Sequence, residues 1–141
     1  MKKSNIIKKF SIKKNEERNI QKFIDNLVSF NAHTNLVGKS TLTNPWNNHI
    51  LDSLQILPHI KNKNFSIIDM GTGAGLPGVV LSIMGCKNIT LVDSKRKKIN
   101  FLSSLKTKMF LKYSTILGRV ENIKNLKYDI VTSRALANLE T

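Results

Sequence analysis

The spacing of apolar residues changes period along this chain, and the changes mark its elements. From Glu16 to about Phe30, the residues Ile20, Phe23, Ile24, Leu27 and Val28 recur three and four apart. That spacing predicts an amphipathic helix with one buried face. The stretch before it, Met1 to Asn15, is rich in Lys, Ser and Asn. It has no consistent period and reads as a frayed or weakly helical lead. Asn31 to Thr41 is polar and reads as a loop. Thr43 or Asn44 then stands where a helix cap belongs, with Pro45 at the first helical position. The helix that follows turns Trp46, Ile50, Leu54 and Leu57 inward and ends near Pro58.

From Phe65 onward, short apolar runs alternate with helical patterns. Strands are predicted over Phe65 to Met70, Asn88 to Val92, Ser114 to Leu117 and Tyr128 to Ser133. A short helix over Pro77 to Met84 separates the first two. A longer helix, capped by Ser94, carries Ile99, Leu102, Leu105 and Met109 on its buried face. Strand–helix alternation argues for an α/β fold with a parallel sheet. Right-handed crossovers wind the first three strands to one side and start the fourth on the other. The expected order is 3-2-1-4, with helices on both faces and a ligand crevice between strands one and four. The chain divides accordingly into an N-terminal helical cap, 1–64, and a sheet-bearing part, 65–141.

Composition narrows the classes. Cys86 is the one cysteine, so no internal disulfide forms and a reducing compartment is expected. The longest apolar run, Leu76 to Cys86, is too short to span a bilayer and contains Pro77 and Gly78. The basic start has no continuous apolar stretch and is not a secretory signal. These features predict a cytoplasmic protein with no membrane partner. The 23 Lys and Arg against 9 Asp and Glu give a net charge of +14. Such charge favours phosphate backbones. An A/T-rich genome would also enrich Lys, Asn and Ile, and the charge divides evenly between the two parts. No metal-ligand spacing and no Ser-His-Asp arrangement is present. His49 and Asp52 stand one helical turn apart and read as a pair that orients the cap over a pocket, not as catalytic groups.

The chemistry concentrates in Ile67-Ile68-Asp69-Met70-Gly71-Thr72-Gly73-Ala74-Gly75-Leu76-Pro77-Gly78. A glycine-rich turn between a strand and a helix is the nucleotide-binding corner of a doubly wound sheet. Asp93, about twenty residues beyond Gly71, ends the second strand and is placed to bind ribose hydroxyls. Gly73 to Gly78 fits the dinucleotide spacing, whereas Gly71 to Gly75 fits that of S-adenosylmethionine enzymes. Asp69 favours the second, since a carboxylate repels a pyrophosphate but attracts a sulfonium or an ammonium, directly or through water. Pro77 removes one N–H from a pyrophosphate cradle and points the same way. A dinucleotide-binding oxidoreductase stands as the alternative.

Several further stretches agree with one family. They are Asn35-Leu36-Val37, His49-Ile50-Leu51-Asp52-Ser53-Leu54, Leu91-Val92-Asp93-Ser94, Lys98-Ile99-Asn100-Phe101-Leu102, Gly118-Arg119-Val120-Glu121 and Val131-Thr132-Ser133-Arg134-Ala135. With the Asp69 to Gly78 loop, they occur in the order found in the GidB family. The chain thus resembles the bacterial small-subunit ribosomal RNA guanine-N7 methyltransferases. The resemblance implies a Rossmann-like, S-adenosylmethionine-dependent methyltransferase fold with an N-terminal helical cap. It implies methyl transfer from S-adenosylmethionine to N7 of a guanine in the RNA of the small ribosomal subunit, by a monomer. Carried over by motif, Gly71 and Leu76 line the methionine side of the cofactor and Asp93 holds the ribose. Val120 and Glu121 sit beside the adenine, and Arg134 stands at the cofactor–substrate boundary. Asp69 and Gly73 complete the expected cofactor-binding set. No catalytic base and no metal are expected, because guanine N7 has a lone pair and no proton to remove. The family's chain continues beyond its strand-four arginine through further strands, so the sequence reads as C-terminally truncated. An inactive remnant, or one half of a split gene that binds cofactor or RNA weakly, is the second alternative.

Overall fold

The computed structural model describes residues 1–33, 36–123 and 127–133. Helix α1 (Lys3–Lys9) and helix α2 (Lys14–Asn31) form the N-terminal layer. The lead is more ordered than its composition suggests. Ile6 is fully buried and Ile12 nearly so, and the Lys3 ammonium lies 5.0 Å from the centre of the Trp46 ring. Ile6 within the helix and Ile12 just after it tie this lead to the core although it lacks a clear period. Helix α2 buries Ile20, Phe23, Ile24 and Leu27, the predicted stripe. Gly38 leads into a 3₁₀ turn, Lys39–Thr43. A π-type turn, Trp46–Ile50, then passes into the short helix α3 (Leu51–Leu54). Trp46, Ile50 and Leu54 point inward as expected, while Leu57 is only partly buried in a further 3₁₀ turn, Leu57–His59.

Strands β1 (Ser66–Met70), β2 (Asn88–Asp93), β3 (Ser114–Leu117) and β4 (Ile130–Thr132) form one parallel sheet in the order β3-β2-β1-β4. Helix α4 (Gly78–Ile83) follows β1, and helix α5 (Arg96–Met109) follows β2. The register sets Asp69 level with Leu91 on one side and Thr132 on the other. It also sets Asp93 level with Leu117.

Side chains alternate between the two faces of the sheet. Ile67, Ile89 and Leu91 join the large core with α2, α4 and α5. Ile68, Met70 and Val92 face the other way and are covered by Val120, Ile123 and Tyr128. The described helices therefore gather on one face, where the sequence reading set helices on both. The connection from β3 to β4 is too short for a long helix, and a 3₁₀ turn, Val120–Asn122, serves in its place. The large core runs without a break from Ile6 in α1 to Tyr113 before β3. Tyr113 is fully buried, and its hydroxyl donates to the Leu102 carbonyl at 2.6 Å.

Candidate functional site

The site begins with the chain leaving β1. Gly71, Gly73 and Gly75 all adopt positive φ, at 64°, 57° and 95°, and the Leu76–Pro77 peptide is cis. Gly75 is packed tightly as well. A Cβ there would stand 2.5 Å from Val79 Cγ2 and 2.8 Å from Leu102 Cδ2. At Gly71 a Cβ meets nothing within 4 Å. Gly78 opens α4 against the sheet, and its Cβ would stand 2.2 Å from Leu91 Cδ2. The loop is seated on the neighbouring strand by the Thr72 N–H, which donates to the Val92 carbonyl at 2.9 Å.

Asp69 lies behind this loop, not in the cavity wall. It is fully buried. Its Oδ2 accepts from the Thr72 hydroxyl at 2.7 Å and from the Gly78 N–H at 3.0 Å. Its Oδ1 accepts from the Thr132 hydroxyl at 2.9 Å. A carboxylate enclosed this way organises the loop from within. Direct contact with a bound cation, one of the two routes expected from the sequence, does not fit this placement. Burial pushes its pKa up from 3.8 to about 6, against the lowering effect of those three hydrogen bonds.

Asp93 closes the second strand from the other side of the loop. Its Oδ2 accepts from the Gly73 N–H at 2.8 Å and its Oδ1 from the Lys95 N–H at 2.9 Å. Each carboxylate oxygen has a second lone pair, so the pinned group retains acceptor capacity toward the cavity it lines. The Asp93 carbonyl in turn accepts from the Gly118 N–H at 2.9 Å, which draws the end of β3 into the same corner.

These elements surround a cavity of about 660 Å³, within the size range of small-molecule sites. Gly71, Gly73 and Leu76 form one wall; Asp93, Lys95 and Lys98 form the next. Val120 and Glu121, on the 3₁₀ turn after β3, form the third, beside Arg119. The structure thus brings together Gly71, Gly73, Leu76, Asp93, Val120 and Glu121 from separate stretches of the chain. Arg134 lies outside the described residues. A fourth wall was read from the sequence only at His49: Leu36, Val37, Gly38, Thr41 and His49 close the cavity from the N-terminal side. The available signal was that Leu36, Val37 and His49 fall in stretches shared with the family. His49 is buried, and its Nε2 lies 2.8 Å from the Thr41 hydroxyl. Asp52 lines a different cavity, with His59, Pro77 and Ser133. His49 and Asp52, one turn apart in sequence, thus open onto two different spaces. Among the described residues, no group of three or more His, Cys, Asp or Glu side chains could hold a metal ion. Likewise, no described helix is long and apolar enough to cross a membrane.

A parallel 3-2-1-4 sheet, with a glycine loop after its first strand and an acid closing its second, defines a Rossmann-like fold of the class that binds a nucleotide-bearing cofactor. Solved structures agree on the fold. TehB from Haemophilus influenzae superimposes with a TM-score of 0.53 at 28% identity, covering 61% of this chain and 29% of that one. A point mutant of MtNAS, in complex with S-adenosylmethionine, gives 0.55 at 16% identity over 95% of this chain and 51% of that one. The model of the GidB family, rRNA small subunit methyltransferase G, matches residues 16–141, and the chain belongs to that family. A ribosomal RNA small subunit methyltransferase G of Orientia tsutsugamushi (strain Ikeda) is 48% identical over 82% of this chain and 58% of its own length. The same-named protein of Paramagnetospirillum magneticum is 36% identical over 96% of this chain and 66% of its own length. The chain therefore spans less than two thirds of the length of these relatives.

Proposed function

We propose that the cavity binds S-adenosylmethionine and that the protein methylates N7 of a guanine in small-subunit ribosomal RNA. The observation that carries this reading is the meeting of the Gly71–Leu76 loop, Asp93 and Val120–Glu121 around one cavity. The residues fit the cofactor. Asp93 offers lone pairs suited to ribose hydroxyls, and Gly71 leaves open space where any side chain would intrude. Val120 offers an apolar surface, and Glu121 an acceptor, to an adenine ring. Asp69 supports a sulfonium through the loop, by holding Thr72 and Gly78 in place. Membership of the family sets aside the dinucleotide oxidoreductase.

Held by Gly71, Leu76 and Asp93, S-adenosylmethionine would supply an electrophilic methyl group to the lone pair of guanine N7, and its sulfur would keep the electron pair of the broken C–S bond. N7 brings its own lone pair, so the protein moves no proton at that atom. Its contribution is alignment. Holding two reactants in line contributes up to about 7–11 kcal/mol toward a barrier. The loop and Asp93 fix one partner, and the fourth wall limits the space left for the other. Lys95, Lys98 and Arg119 give the cavity a basic side that suits RNA phosphates. We assign Arg134 to the boundary between cofactor and base, residues 1–64 to a cap over the site, and the active form to a monomer working in the cytoplasm where ribosomes are made.

The test is to incubate the purified chain with radiolabelled S-adenosylmethionine and small subunits lacking the modification. Label at a guanine N7, located by chemical strand cleavage, is the expected result. Calorimetry that shows NADH bound and S-adenosylmethionine ignored overturns the cofactor. Cofactor binding without methyl transfer favours the weakly binding, inactive alternative.

A further inference from the structure

The fourth wall of the cavity has an anchor that does not itself touch the cavity. Asn31, the last residue of α2, is 3% exposed. Its Oδ1 accepts from the Leu36 N–H at 2.7 Å and from the Val37 N–H at 3.0 Å. Its Nδ2 donates to the Val37 carbonyl at 3.2 Å. One amide side chain thus satisfies three backbone groups of the segment that lines the cavity. Leu36 is itself buried in the main core. Beyond Gly38, the segment is held again by Asn48, whose Nδ2 donates to the Thr41 carbonyl at 2.9 Å. The foot of the anchor is firm. Phe30, next to Asn31, packs with its ring centre 4.8 Å from that of Phe101 in α5. The same helix, α5, begins beside Lys95 and carries Lys98, both on another cavity wall.

We infer that Asn31 is a positioning residue for the cofactor: it fastens Leu36–Val37 in the place where they form the cavity wall. The inference rests on S-adenosylmethionine being the ligand of that cavity. Without Asn31, the two N–H groups and the carbonyl must find water, and the wall swings out to reach it. Apparent affinity scales with the fraction of molecules whose wall is in place. The cost then falls on binding, and the methyl-transfer step of the fully bound protein is little changed.

Three forms of the full chain test this. Asn31→Ala removes all three bonds. Asn31→Asp keeps the two accepted bonds and loses the donated one. Tyr113→Phe, a control in the core away from the cavity, removes the hydroxyl bond to Leu102. Calorimetry is expected to show Asn31→Ala binding S-adenosylmethionine at least about tenfold more weakly than wild type, with Asn31→Asp between them. Tyr113→Phe is expected to lower thermal stability yet keep the wild-type affinity. Hydrogen exchange at the Leu36 and Val37 amides is expected to quicken in Asn31→Ala relative to the rest of the chain. Unchanged affinity in both Asn31 variants overturns the inference. So does equal weakening by Asn31→Ala and Tyr113→Phe, because general destabilisation then accounts for it. If Asn31→Ala does not fold, wild-type affinity in Asn31→Asp overturns it. Failure of wild type to bind S-adenosylmethionine is a different result, and it overturns the cofactor reading beneath this one.

Discussion

The glycines of the loop perform separable tasks, and two alanine substitutions distinguish them. At Gly75 the residue combines φ of 95° with a Cβ position 2.5 Å from Val79 Cγ2 and 2.8 Å from Leu102 Cδ2. The left-handed backbone costs a side chain about 1–2 kcal/mol. Forcing a methyl group into a packed core adds about 1–3 kcal/mol. Gly75→Ala is therefore expected to lose roughly 2–5 kcal/mol of stability. At roughly 3–5 °C per kcal/mol for a chain of this size, the midpoint falls by about 6–25 °C. Gly71 has φ of 64° but nothing within 4 Å of its Cβ position. Gly71→Ala is expected to lose only the backbone contribution, about 1–2 kcal/mol, while its methyl group occupies space at the cavity wall. Thermal unfolding by circular dichroism gives the stabilities, and calorimetry with S-adenosylmethionine gives the affinities. Gly75→Ala should fail chiefly in stability and Gly71→Ala chiefly in binding. Equal stability losses in the two variants refute the division. So does full cofactor affinity in Gly71→Ala.

Other expectations follow from the buried carboxylate and the charged wall. Asp69 has a folded pKa of about 6, above the unfolded 3.8, so the folded chain holds this proton more tightly. Its contribution to stability is complete below about pH 4 and is lost as pH rises through 6, by about 3 kcal/mol. Asp69→Asn keeps the shape without the charge, so its stability relative to wild type should rise over that window in denaturant titrations; a constant difference contradicts the assignment. Gly78→Ala places a Cβ 2.2 Å from Leu91 Cδ2 and 2.8 Å from Asp69 Oδ2, and should cost at least about 3 kcal/mol in the same titrations. Asp93→Asn replaces a pinned acceptor by an amide and should weaken S-adenosylmethionine binding about tenfold or more in calorimetry. Replacing Lys95 and Lys98 together by alanine should reduce the salt dependence of RNA association by about two units of log–log slope.

The sheet was legible because its cues are local and repeated. Apolar runs of strand length alternated with helical spacing, and the handedness of crossovers then left one order. The loop was legible because glycines and an acid at fixed distances carry the chemistry of nucleotide binding. What escaped the sequence was of another kind. Whether Asp69 faces the ligand or the loop depends on three donors, one of them Thr132, far along the chain. Leu36 and Val37 look like ordinary apolar residues, and the bonds that tie their backbone to Asn31 carry no mark in the apolar pattern. Ser94 offered the expected cap for α5, yet the helix starts at Arg96 with no side-chain cap bond. Asp93 takes the Lys95 N–H instead. Only the first case turns on a bond between distant parts of the chain; in the others a side chain bonds backbone two to six residues away, which apolar spacing does not reveal.

The bond from Thr132 to Asp69 also bears on the order of folding. The two residues are 63 positions apart, so their meeting carries a loop-closure cost that local contacts avoid. Strands β1 and β2 with α4 assemble from nearer neighbours. Until β4 docks, the Asp69 Oδ1 is without its Thr132 donor, and a buried carboxylate short of a donor is costly. The Gly71–Gly78 loop is therefore expected to reach its final order only when the fourth strand docks. Opening of that strand in the folded protein loosens the loop with it, and the two regions should exchange their amide hydrogens as one unit.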